Sequence, residues 1–157
     1  MAILSTPEYL TTTGWYFSCD GAVNEKRSIN SIAGMNTEVQ AVAGDTMGQS
    51  KGIANRQAKP GGFSKFGNIT IKVVATTERD LYDWYFKCNP RDGGKSTWTQ
   101  KNFTATITVV NAANDPTMRF EIQECYPCKY TPFEFGVDSN LALESFELVH
   151  NGWVRTQ

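Results

Sequence analysis

Between Lys59 and Cys88 the apolar residues change their period, and that change dictates the order of elements in the middle of the chain. Ile69, Ile71 and Val73 alternate with Thr70, Lys72 and Val74, a period of two carried almost wholly by β-branched residues, which predicts a strand with one apolar face. Leu81, Trp84, Tyr85 and Cys88 then fall at i, i+3, i+4 and i+7, one stripe of a 3.6-residue repeat, which predicts a helix from about Thr77 to Asn89. Thr77 is placed to cap its first turn, with Asp80 as the reciprocal partner of a capping box and Glu78 at the positive end of the dipole. Lys87 puts a cation in the last turn and Pro90 stops the helix. These four stripe residues are the expected helix core, with Trp84 and Tyr85 read as packing and not as ligand contacts.

The rest of the chain alternates as strands do. Trp15, Phe17 and Cys19 share one phase and end at the turn dipeptide Asp20-Gly21. A shorter strand is expected over Ser28–Ala33, stopped by Gly34, and another over Thr37, Val39 and Ala41, broken at Gly44. Phe103, Ala105, Ile107 and Val109 alternate with threonines, and Asn114-Asp115-Pro116 turns the chain into Met118, Phe120 and Ile122, a hairpin. In the last strand Leu141 and Leu143 are out of phase with Phe146 and Leu148, which predicts a β-bulge at Glu144-Ser145 before Asn151-Gly152 ends it. The sum is mainly β: two packed antiparallel sheets forming a sandwich or barrel with one α-helix. At 157 residues this is about one domain, 1–157, large enough for one core. Residues 44–62 hold five glycines in 19 positions with no period, longer than an idle loop in a compact domain, so the segment is expected to have a function.

The chemistry-bearing residues point away from catalysis. A net charge of −1 lacks the basic excess that nucleic acid requires of a main partner. Met1–Thr13 has neither a positive n-region nor a long apolar run, so no secretory signal or membrane anchor is expected. Cys125-Tyr-Pro-Cys128 follows a strand-like run, not the helix start that would lower a thiolate pKa, and zinc would need more than the lone His150. Structural thiols are the leading reading, ahead of a metal site, a disulfide or redox activity. The glycines of 59–67 precede a strand, whereas a phosphate loop precedes a helix. Glu121, Glu144 and Glu147 read as a solvated or interface face. No catalytic residue, metal or cofactor is expected.

Gly67-Asn-Ile-Thr-Ile-Lys72 followed by Glu78-Arg-Asp-Leu-Tyr-Asp-Trp84 resembles the strand-to-helix core of the tail tube protein family of contractile phages and phage-tail-like injection systems. Phe17-Ser-Cys-Asp-Gly21 resembles that family's opening, Cys128-Lys-Tyr130 its pre-terminal motif, and Ala142–Gly152 its ending, all in family order from Trp15 onward. The resemblance implies a structural protein forming hexameric rings, stacked into a hollow tube inside a contractile sheath. It also implies as partners further copies of itself, sheath, baseplate or spike and tail terminator proteins, a tape-measure protein, and DNA or effector cargo in the lumen. Assembly would take place in the bacterial cytoplasm, and the product would be part of a virion or injection particle.

On that reading Glu38, Gln40, Thr70 and Lys72 are the expected lumen residues, with Thr104, Thr106 and Thr108 as the second choice. The 44–62 segment is the expected inter-ring contact, its cations Lys51, Arg56 and Lys59 meeting an acidic face while Ile53 and Phe63 anchor. A monomeric β-barrel holding a small apolar ligand among Trp15, Phe17, Trp84 and Phe120 is the alternative.

Overall fold

The computed structural model describes residues 9–10, 14–46, 55–96, 103–136 and 141–157, and for 41–46, 55–60 and 63 the backbone alone. Among these residues the strands are β1 (Trp15–Cys19), β2 (Val23–Ala33), β3 (Thr37–Thr46), β4 (Asn55–Phe66), β5 (Ile69–Val74), β6 (Ala105–Val110), β7 (Pro116–Gln123), β8 (Tyr126–Glu134), β9 (Leu143–Val149) and β10 (Gly152–Arg155). The helix α1 is Asp80–Cys88.

Eight strands join in the order β10-β7-β6-β1-β2-β5-β9-β8, and β3 and β4 pair only with each other. Strand β2 is the pivot. Its first part, to Ser28, pairs with β1, while Ile29–Ala33 pairs with β5 across an irregularity between Ile29 and Ser31. One strand thus belongs to two antiparallel sheets, and these face each other: the Phe17 ring of β1 lies 5.0 Å from Phe146 of β9. Ile69, Ile71, Val73, Ala105, Ile107, Ile122 and Leu148 complete the core between them. Helix α1 closes one side, against β8 and β2, through buried Leu81, Trp84 and Cys88. Tyr85 is half-buried and stacks at 5.9 Å on Tyr130 of β8.

The structure corrects several local expectations. Thr77 does not cap the helix: α1 begins at Asp80, no side chain caps its N-terminus, and the Thr76 hydroxyl accepts from the Glu78 N–H. Asp80 is held by Arg27 instead of serving a capping box. No bulge occurs at Glu144-Ser145; β9 pairs with β5 without a break from Leu143 to Leu148, and Glu144 takes an inward position while Leu143 stays half-exposed. Gly44 does not end its strand, and most of 44–62 is not loop: Gly44 pairs with Gln57, inside a long hairpin. Strands β4, β8 and β10 go beyond the sequence expectation.

Candidate assembly surfaces

The β3–β4 hairpin leaves the body as an arm. Its ladder runs from Thr37↔Phe66 to Thr46↔Asn55, on the order of 30 Å at about 3.3 Å per residue. A two-stranded hairpin alone is marginal in water, so an arm of this length needs a second surface to lie on. Its base, by contrast, is fixed. Gly34 has φ +82°, and a Cβ there would sit 2.1 Å from the Asn68 carbonyl oxygen, so only glycine fits where the chain exits. The His150 Nε2–H donates to the Gly67 carbonyl at 2.8 Å, its Nδ1 accepts from the Gly152 N–H at 3.1 Å, and its ring lies 5.8 Å from Phe66. The lone histidine is therefore a fastener between arm and β10.

Of the residues expected at an inter-ring contact, Arg56, Lys59 and Phe63 lie on β4 at positions where only the backbone is described, and Lys51 and Ile53 lie outside the described residues. Glu38 and Gln40 are exposed on β3, Glu38 directly opposite Lys65 of β4. Thr70 and Lys72 are on β5, in the other sheet. The four expected lumen residues are thus divided between arm and body.

Around Thr70 and Lys72 the outward face is polar, with short hydroxyl side chains set among charged ones. Thr70 is in register with Ala33 and Glu147, Lys72 with Ser31 and Ser145, and Lys129 and Thr131 of β8 continue the rows. Lys72 pairs with Glu134 at 3.0 Å, and Asn68 donates to Glu147 at 2.7 Å. The Thr104–Thr108 face differs, because Thr108 is only 5% exposed.

Beneath the polar face lies a buried charge cluster. Arg27 of β2, 2% exposed, donates to the Asp80 carboxylate, the Thr76 hydroxyl and the Glu78 carbonyl. Glu144, 5% exposed, accepts from the Tyr130 hydroxyl at 3.4 Å. Burial pushes the Glu144 carboxyl above the usual range; Arg27 opposes this, Asp80 adds to it, and the Tyr130 bond opposes it. Tyr130 is pushed up to about 12 by burial and by the charge of Glu144. The expected solvated position of Glu144 is thereby overturned, and neither Arg27 nor the Asp80 pair was anticipated from spacing.

The four cysteines are free thiols, three of them buried. Cys125 and Cys128 do not pair. Burial raises Cys88 to about 11 and Cys128 above its ordinary value, and Cys19 is raised by a hydrogen bond with Cys125 and by burial. Raised thiol pKa values disfavour the thiolate that redox chemistry needs. Among the described residues no cluster of three metal-ligating side chains occurs, and no helix is long and apolar enough to cross a membrane. A cleft of about 320 Å³ opens between Gly21, Phe103 and the polar start of α1 at Glu78, Arg79 and Asp83. Of the ligand residues of the binding-module alternative Trp84 alone lines it; Phe17 packs against Trp84 in the core at 6.4 Å, and Phe120 packs against Trp153.

Residues 13–154 match the family described as T4-like virus tail tube protein gp19. No curated protein matches the chain. Among solved structures, the chain is similar to a component of an extracellular contractile injection system, the PVC sheath-tube complex in the extended state, at 20% identity and TM-score 0.68, with 97% of this chain and 93% of that one covered. It is similar to the tube-terminating cap of the anti-feeding prophage at 15% identity and TM-score 0.71, covering 99% and 96%. It is also similar to Hcp1 from Flavobacterium johnsoniae at 14% identity and TM-score 0.57, covering 90% and 94%. At these identities the likeness is one of fold.

Proposed function

Because this chain belongs to the T4-like virus tail tube protein gp19 family, we propose that its copies close into six-membered rings and that the rings stack into a hollow tube within a contractile sheath. The chain is a structural component of a phage-tail-like tube. In the proposed ring, the sheet formed by Ile29–Ala33 of β2 with β5, β9 and β8 lines the lumen, its polar face inward with Thr70 and Lys72 at the centre. DNA or effector cargo passes along that face, where short hydroxyl and paired charged side chains hold water and offer little apolar surface to adhere to. Glu38 and Gln40 line the channel where the arm begins.

The observation that carries this reading is the pair of free edges on one half-sheet. Among the described residues nothing pairs with the outer side of β8 or with the side of Ile29–Ala33 that faces away from β5. Open edges invite further strands, and joining unlike edges of successive copies abolishes them by closure. The β3–β4 arm then rests on the adjacent ring, which supplies the cover it lacks, with Lys51, Ile53, Arg56, Lys59 and Phe63 at the contact. Sheath, terminator, baseplate or spike and tape-measure proteins are the partners in the finished particle, which assembles in the bacterial cytoplasm.

Cysteine labelling at Thr70 in assembled tubes tests the lumen assignment. Thr70→Cys is expected to react with small thiol reagents and to be closed to bulky ones, measured against the parent chain. Free reaction with bulky reagents would put this face on the outside.

A further inference from the structure

Two largely exposed phenylalanines lie together at the end of an edge strand. Phe133 and Phe135, 61% and 70% exposed, stack with ring centroids 5.9 Å apart at the end of β8. The residue between them settles which way they point. Glu134 is in register with Leu143 and pairs with Lys72, on the polar outward face. Phe133, next to Glu134 and just after the irregularity that follows Thr131, projects to the opposite face, the one that elsewhere carries Ile71, Val73 and Phe146 into the core, and Phe135, the first residue past β8, stacks on it there. Here that apolar face extends past its own cover.

We propose that Phe133 and Phe135 form an aromatic clasp that seats on the β2 side of the next copy of this chain in the ring. The proposal rests on the ring reading above. A second copy is the occupant because the phenylalanines stand at the end of an unpaired edge strand, Phe133 within it and Phe135 just past it, on the side away from the proposed lumen. Any strand that continues the sheet past β8 brings its own core-facing side chains against them. Successive antiparallel pairing from β2 to β8 leaves the next copy's β2 antiparallel to β8 as well. At that margin the chain carries apolar residues that its own core covers only in part, namely Trp15, Ile32 and Met35. Margin and clasp are on the same face, since Ile32 is in register with the buried Ile71. Clusters of aromatic anchors with partly covered apolar counterparts are what concentrates binding energy in an interface. A sheath protein touches the outside of a tube and does not meet a strand edge that continues the wall.

The test replaces Phe135 by the photo-crosslinking residue p-benzoylphenylalanine, alongside Phe133→Ser with Phe135→Ser. On irradiation, tubes of the purified chain should give covalent dimers whose joined peptide falls within residues 14–35 of the second copy. The double serine variant should keep the parent's thermal unfolding while its assembly threshold rises more than tenfold. Parent rings without such dimers, dimers joined elsewhere, or crosslinks that form only once sheath protein is added would overturn the clasp and leave the ring reading intact. Absence of rings in the parent chain would overturn both. If the serine variant failed to fold, the two rings would be core residues of the monomer, and the clasp would be overturned on that ground.

Discussion

Glu144 is the residue whose position and ionisation are most at odds with its type. Its folded pKa is raised by burial, so the folded chain binds a proton more readily than the unfolded one, whose glutamate titrates near ~4.3. The stabilisation from this group is therefore fully present below that value and is lost as pH rises through the folded one. Glu144→Gln is expected to flatten the fall in unfolding free energy between acidic and neutral pH; an unchanged slope by denaturant titration would show that the group is not responsible. Arg27→Met should cost about 3–5 kcal/mol, because it leaves buried carboxyl groups without their cation. Trp84→Ala should cost about 3–5 kcal/mol by cavity formation, and a loss below about 1 kcal/mol would place Trp84 outside the packed core. Period alone makes Trp84 legible. Arg27 is hidden in the run Asn24-Glu25-Lys26-Arg27-Ser28, where burial depends on a helix start more than fifty residues away. Glu144 is obscured because Leu141 and Leu143, just before it, suggest the wrong phase.

At the scale of elements, alternation found the strands whose two faces differ, such as β5 and β6, and it failed on β4. That strand contains Pro60-Gly61-Gly62, which lowers strand propensity, and pairs across an irregularity between Val39 and Ala41 that disrupts the period. The helix start was misplaced because Thr77 has the right residue type for a cap, whereas the actual anchor comes from another element through Arg27. The arm carries its own prediction. Deleting Gly48–Arg56 shortens the arm, and loop shortening costs little entropy, so the monomer should still unfold cooperatively while tube formation is lost. Normal polymerisation of that variant, seen by sedimentation, would remove the arm from the stacking contact. His150→Ala should weaken stacking as well, by freeing the arm's base from Gly67 and Gly152, with the ring itself retained.

For the whole molecule, family and fold were legible from the ordered motifs around Gly67–Trp84 and Ala142–Gly152, while the open edges of the sheet were not, because pairing partners are set in three dimensions. Linear charge also overstates the surface field. Residues 51–72 carry only basic charges and 121–147 six acidic against one basic, yet Glu144 is buried and Glu134 is paired with Lys72 in the same chain. Salt should therefore slow stacking more than it weakens the finished tube. Electron microscopy of the concentrated, purified chain tests the central claim most directly. Six-fold rings and tubes are expected, with Thr70 and Lys72 on the channel wall and the β3–β4 arm resting on the adjacent ring. A chain that stays monomeric at high concentration, or a ring whose channel is lined by another face, would contradict it.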